Sequence, residues 1–200
     1  MQVLKVFCGP MCAAKTTGAL HVARRHARMG RKVILIRPSN SRRCHERDPI
    51  SLSTKDGERF PCFDHESAEA IRDYAGRADV IWIDEPNHFK DEEQLVEIIP
   101  MIRQHSTVLI SGLGATSELE PFGISMGFLL STADHVEWLS ADCDSCKTIH
   151  TATRSLYVGV APKDGPLKVG GEESYLAVCP PCWNKLTELE PLKRREAMGL

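Results

Sequence analysis

A chain of 200 residues with 42% hydrophobic content is long enough for a genuine core, with room for one main domain and a small appendage. Its 25 basic and 27 acidic residues give a formal net charge of -2, so no strong field favours nucleic acid or an acidic membrane surface, and the expected partners are small molecules or other subunits. No apolar stretch reaches the span of a bilayer and the opening "QVLKVF" reads as a strand rather than a leader, which predicts a soluble, cytoplasmic protein.

The first element, "VLKVF", runs into "CGPMCAAKTTGAL". From Gly9 to Thr16 the spacing is that of G-x-x-x-x-G-K-[ST], a loop whose backbone N–H groups cradle phosphates, with Ala14 in place of its second glycine. Lys15 is then placed for the β and γ phosphates, and the Thr16 hydroxyl for Mg²⁺. The Ala14 methyl either crowds the phosphate or disfavours a backbone conformation that suits glycine, while its N–H remains. An ordinary strand-to-helix turn is the competing reading. The following "TTGALHVARRHARMG" carries Leu20, Ala23 and Ala27 near helical spacing and stops at Gly30. "KVILIR" is a second strand. Between Arg37 and Ala68 no period is clear, which predicts a long loop with a short hairpin.

"ADVIWID" is a third strand, and it ends in Asp84 and Glu85. A carboxylate at the C-terminal end of a parallel strand can hold the water shell of a metal, leaving its neighbour to take a proton from an attacking hydroxyl. Acids that merely begin a loop are the alternative. "DEEQLVEIIPMIRQH" sets Leu95, Ile98, Ile99 and Ile102 on one helical face, with Pro100 kinking or ending it. "STVLISG" is a fourth strand. Strands separated by helices imply right-handed crossovers, hence an α/β fold, a parallel sheet with flanking helices; the phosphate-loop pattern after its first strand makes the expected fold P-loop NTPase-like.

From about Ser140 the character changes. Cys143 and Cys146 form one C-x-x-C pair, and Cys179 and Cys182 form another. Four thiolates satisfy tetrahedral Zn²⁺ with no open position, which makes the site structural; a redox dithiol is the competitor. Cys8, Cys12, Cys44 and Cys62 lack such spacing and read as packed or incidental thiols. The expected divisions are a nucleotide-binding domain over 1–139, a small C-terminal zinc-binding unit over 140–188, and a frayed helical tail over 189–200.

In this order and spacing the chain resembles the type II thymidine kinase family, in which a P-loop domain precedes a zinc-bearing lasso domain. "GPMCAAKTT" is similar to the family's G-P-M-F-S-G-K-[ST]-T, "VIWIDEPNHF" to its strand ending D-E-[AG]-Q-F-F, "CDSCKTIHTATRSL" to its first zinc knuckle and the strand after it, and "VGGEESYLAVCPPC" to its lasso and second knuckle. "EPFG" resembles the segment after the family's G-L-D-G-x-F motif. The resemblance implies ATP and Mg²⁺ held by Gly9, Pro10, Met11, Cys12, Ala13, Ala14, Lys15, Thr16 and Thr17 together with Asp84. Glu85 would be the base that activates a nucleoside 5′-hydroxyl. Met11, Asn87, Phe89, Thr153, Val169, Gly170, Gly171 and Tyr175 would line the nucleoside pocket, and the assembly would be a homo-tetramer. The departures cluster at the site. Cys12 stands for Phe, Ala14 for Gly, and Asn87 with His88 for Gln-Phe, while Gly114 removes an acid and Ser117 an aromatic ring. Two functions therefore stand side by side: phosphorylation of thymidine or a related pyrimidine deoxynucleoside, or a catalytically impaired nucleotide-binding homologue acting as a regulatory module. A zinc-ribbon nucleic-acid module is disfavoured by the charge balance.

Overall fold

The computed structural model describes residues 2–41, 51–53, 59–159 and 174–199, which group into two units. The first comprises 1–8, 15–114 and 121–138; the second comprises 9–14, 115–120 and 139–200.

The first unit is a six-stranded sheet with every pair parallel, in the order β5-β2-β6-β7-β1-β8. Its strands are β1 (Leu4–Cys8), β2 (Val33–Pro38), β5 (Phe63–His65), β6 (Val80–Asp84), β7 (Thr107–Gly112) and β8 (His135–Trp138). The four apolar runs legible in the sequence are β1, β2, β6 and β7. Each reads as continuous rather than alternating because both faces of a parallel sheet are covered. Every residue of β6 and β7 is buried. The edges β5 and β8 have no such run: β5 is three residues long, and β8 exposes His135, Glu137 and Trp138.

Helix α1 (Lys15–Arg28) buries Thr16, Ala19, Leu20 and Ala23. Ala27, expected on this face, is exposed because the buried stripe ends at Ala23 and the last turn carries Arg25, His26 and Arg28. Gly30 closes the turn at φ +77°, donating its N–H to the Ala27 carbonyl. In α2 (Leu95–Ile102) Leu95, Ile98, Ile99 and Ile102 are all buried, and the helix runs only two residues past Pro100. Between β2 and β6 lies a short antiparallel hairpin, β3 (Ser51–Ser53) with β4 (Arg59–Pro61). The third helix of this unit, α3 (Gly123–Thr132), starts beneath the Glu92 carboxylate, which accepts the N–H groups of Ile124 (2.9 Å) and Ser125 (2.7 Å).

The second unit pairs β9 (Arg154–Tyr157) with β10 (Tyr175–Val178), antiparallel, and adds α4 (Pro180–Thr187) and α5 (Pro191–Met198). The tail is docked rather than frayed: Arg194 donates to the carbonyls of Tyr157 (2.9 Å), Leu186 (3.0 Å) and Leu189 (2.8 Å). Among the described residues no helix is long and apolar enough to cross a membrane.

Candidate active site and metal centre

In the first unit, the polar residues gather where the strands end. Asp84 is the last residue of β6 and 3% exposed. Its Oδ1 accepts the Thr16 hydroxyl at 3.2 Å and also the hydroxyl of Ser111, its register partner on β7. Ser111 is itself held by the Trp82 indole N–H at 2.8 Å. A carboxylate oriented by two hydroxyls and fixed by a buried ring loses little freedom when it receives a ligand. On β2, Arg37 is 1% exposed and ion-paired to Asp64 through Nε at 2.8 Å. Ile36 lies opposite Ile83, so Arg37, the next-to-last residue of β2, is one step along its strand from that pair, as Asp84 is along β6.

Glu85 follows with φ +52° and ψ +54°, and its N–H donates to the Ser111 carbonyl at 2.7 Å. A left-handed conformation at a residue with a full side chain costs about 1–3 kcal/mol and persists where the surroundings impose it. Pro86 then begins a single 3-10 turn. Within it Asn87 is 6% exposed, and neither its amide oxygen nor its amide nitrogen has a hydrogen-bond partner among the described residues. Burial holds the His88 imidazole below its ordinary pKa, against the opposing pull of Asp84, and its ring meets Phe122 edge-on at 5.6 Å. Phe89 lies inside the apolar core with Leu95 and Ile98. Gly114, where the resemblance expects an acid, has no room for one: an added Cβ would stand 2.5 Å from Cys8 Sγ and 3.3 Å from the Trp138 ring. The Ser117 hydroxyl donates to the Glu118 carboxylate at 2.7 Å.

In the second unit lies the loop 9–14, which leads into Lys15, the first residue of α1. A Cβ at Gly9 would collide with the Leu139 carbonyl oxygen, so that position requires glycine. Pro10 is buried, the Met11 N–H donates to Ser155 Oγ at 2.9 Å, and Ala13 is 3% exposed within the unit's apolar cluster. Cys12 and Ala14 are both left-handed, at φ +62° and +56°, and both are exposed. Of the two effects considered for Ala14, the backbone effect is therefore present. Thr153 is exposed, and the Tyr175 ring lies 5.2 Å from that of Tyr157. Desolvation, reinforced by Glu118 and Tyr157, pushes the Tyr175 phenol up to about 12, so it is a hydroxyl donor at neutral pH. Val169, Gly170 and Gly171 lie outside the described residues, as does Cys44.

The four cysteines of the paired motifs come together: the sulfurs of Cys143, Cys146, Cys179 and Cys182 all lie within 4.8 Å of one another. Cys146 Sγ and Cys179 Sγ are 3.8 Å apart, which matches the edge of about 3.8 Å for a tetrahedron with Zn–S bonds of about 2.3 Å. The Cys179 N–H donates to Cys143 Sγ at 3.3 Å, and contact with the Thr148 hydroxyl and N–H pulls the Cys146 thiol below the ordinary range. The donor set fits a structural zinc ion.

Two contacts escaped the motif reading, those of Ser111 with Asp84 and of Ser155 with Met11. Each carried a weak signal, since Ser111 is a polar residue near the end of an apolar strand and Ser155 is a small polar residue in "RSLYV".

The thymidine kinase family profile matches residues 2–183. The chain belongs to the thymidine kinase family. A thymidine kinase of Pyrobaculum aerophilum is 32% identical over 183 residues, 88% of this chain and 96% of that protein. Thymidine kinase 1 of Dictyostelium discoideum is 30% identical over 90% of this chain and 77% of its own length, and a thymidine kinase of Coprothermobacter proteolyticus 32% identical over 88% and 87%. Membership makes the chain a kinase-type phosphotransferase.

Proposed function

We propose that the protein transfers the γ-phosphoryl group of ATP to the 5′-hydroxyl of thymidine or a related pyrimidine deoxynucleoside. The observation that carries this reading is the arrangement at the end of β6: Asp84 is oriented by Thr16 and Ser111, and Glu85 follows in a left-handed conformation. The hydroxyl of Thr16 and the carboxylate of Asp84 are hard oxygen donors of the kind Mg²⁺ takes. When bound, Mg²⁺ supplies charge neutralisation on the phosphates. Lys15 contacts the β and γ phosphates, and the backbone N–H groups of residues 12–17 hold them. Glu85 accepts the 5′-hydroxyl proton as that oxygen bonds to the γ-phosphorus, and ADP leaves.

On this reading residues 1–139 bind nucleotide. Residues 140–188 bind nucleoside through Thr153, Val169, Gly170, Gly171 and Tyr175, with Met11, Asn87 and Phe89 contributed from the first segment. A zinc ion occupies the four cysteines. The resemblance adds a cytoplasmic homo-tetramer. An impaired, purely regulatory homologue receives no support from the loop, because Ala14 is held left-handed despite its methyl.

A phosphoryl-transfer assay over a panel of nucleosides tests the proposal. Glu85→Gln is expected to lower kcat by about 10²–10⁴-fold, the usual worth of a positioned base, with ATP binding retained. No product with any nucleoside from wild-type protein overturns the function; an unchanged Glu85→Gln rate overturns the role of Glu85.

A further inference from the structure

The loop 9–14 is a phosphate cradle by sequence, yet its anchors belong to the unit that carries the four cysteines. The Met11 N–H is bonded to Ser155 Oγ at 2.9 Å across 144 residues of sequence. Ala13 is buried in one cluster with Cys143 and Cys179, and Gly9 lies against the Leu139 carbonyl. Ser155 is 6% exposed and faces Ala177 in the β9–β10 ladder. Ala177 in turn exchanges two hydrogen bonds with Asp144, its N–H to the carboxylate at 2.7 Å and its carbonyl accepting the Asp144 N–H at 2.8 Å. Asp144 sits between Cys143 and Cys146. An unbroken path of bonds and strand pairing thus joins the metal knuckle to the backbone of the phosphate loop.

We infer that Ser155 is a positioning residue for the phosphate loop, through which the metal-bearing unit sets the affinity for the nucleoside triphosphate. The inference rests on the nucleotide-binding reading above and deepens it. A partly buried backbone N–H must be paired, and the Ser155 hydroxyl is the group that pairs Met11. Without it the N–H is orphaned or reoriented, and the neighbouring left-handed residues Cys12 and Ala14 lose the anchor that holds them. Ser155 touches neither reacting atom in this account. Its effect falls on triphosphate affinity rather than on the chemical step.

The experiment compares wild type, Ser155→Ala and Ser155→Thr as full-length zinc-loaded proteins, using a fluorescent ATP analogue with Mg²⁺ in equilibrium titrations. Ser155→Ala is expected to weaken the analogue by about 5–30-fold, the loss that follows from leaving one such group unpaired, with kcat at saturating ATP and nucleoside unchanged. Ser155→Thr retains the hydroxyl and should restore affinity to within about threefold. Analogue affinity within twofold of wild type in Ser155→Ala overturns the inference, as does a fall in kcat at saturation equal to the loss of affinity, or failure of Ser155→Thr to rescue. Hydrogen exchange at the Met11 amide in nucleotide-free protein supplies the second arm. Its protection should fall both in Ser155→Ala and when a chelator strips the metal from wild type, and unchanged exchange in either case overturns the coupling. If wild type binds no triphosphate, the proposed function fails, whereas the exchange arm still decides whether the path exists.

Discussion

The two units reach stability by different means. Among the described residues the sheet unit has an apolar cluster of nineteen buried residues, most of them Ile, Leu, Val and Phe from the central strands and α2. The second unit's cluster, among the described residues, has eleven, of which four are alanines, two are cysteines of the paired motifs and five are Leu or Val. Hydrophobic stabilisation scales with apolar area at about 25 cal/mol per Å², so a cluster in which alanine is the commonest residue supports less structure than one built mostly from isoleucine, leucine and valine. Such a cluster gains from a cross-link, and the four sulfurs are placed to provide one through a metal.

The largest expected effect follows from removing that cross-link. Structural zinc in small modules contributes on the order of 10 kcal/mol to folding, more than the whole margin of a typical domain. Treating the protein with a chelator should therefore strip exchange protection from the amides of β9, β10 and α4, while β1, β6 and β7 keep theirs. Exchange mass spectrometry reads both regions in one sample. Undiminished protection in β9 and β10 would show that the small apolar cluster suffices, and the contrast between the units would fall.

In the sheet unit a single polar contact should matter much less. Glu92 spans the first N–H groups of α3, and Gly123 before them sits at φ +73° with the carboxylate only 2.8 Å from where a Cβ would be. Glu92→Ala leaves two helix N–H groups to water and removes a favourable charge at the dipole, at a cost of about 1–2 kcal/mol. The melting temperature should drop by about 2–8 °C, with the β6 and β7 amides still protected in the native state. Loss of their protection would mean that the sheet depends on its helix caps more than on its apolar interior.

These contrasts bear on what a sequence displays. The four central strands were legible because burial on both faces writes an unbroken apolar run, as in "VIWID". The four-cysteine cluster was legible because two short spacings place four sulfurs regardless of what lies between them. The edge strands were not, since β8 is half exposed and β5 is only three residues long; neither must be apolar. Ser111 and Ser155 were hidden for another reason. Their partners, Asp84 and the Met11 N–H, lie 27 and 144 residues away, and only the folded register brings them within reach. Gly114 was read as the loss of an acid, whereas the fold fills its side-chain space with Cys8 and Trp138. The substitution is matched by its neighbours.

The smallest expected effect concerns Ala14, and it probes how firmly the second unit holds the phosphate loop. At φ +56° the methyl costs about 1–2 kcal/mol relative to a right-handed residue. Ala14→Gly removes that strain, but it also frees the unfolded chain by about 0.5–1 kcal/mol. Because Ala14 is exposed, no packing is lost, and the two changes nearly cancel. The net gain should be at most about 1.5 kcal/mol, seen as a rise of no more than about 6 °C in melting temperature. Triphosphate affinity should change little, because Ser155 and Ala13 already hold the loop in the shape that glycine would allow. A gain of tenfold or more in affinity on Ala14→Gly would contradict this, since it would mean that in wild type the loop adopts the left-handed conformation only part of the time and that its anchors in the second unit are weaker than the hydrogen bond to Ser155 implies.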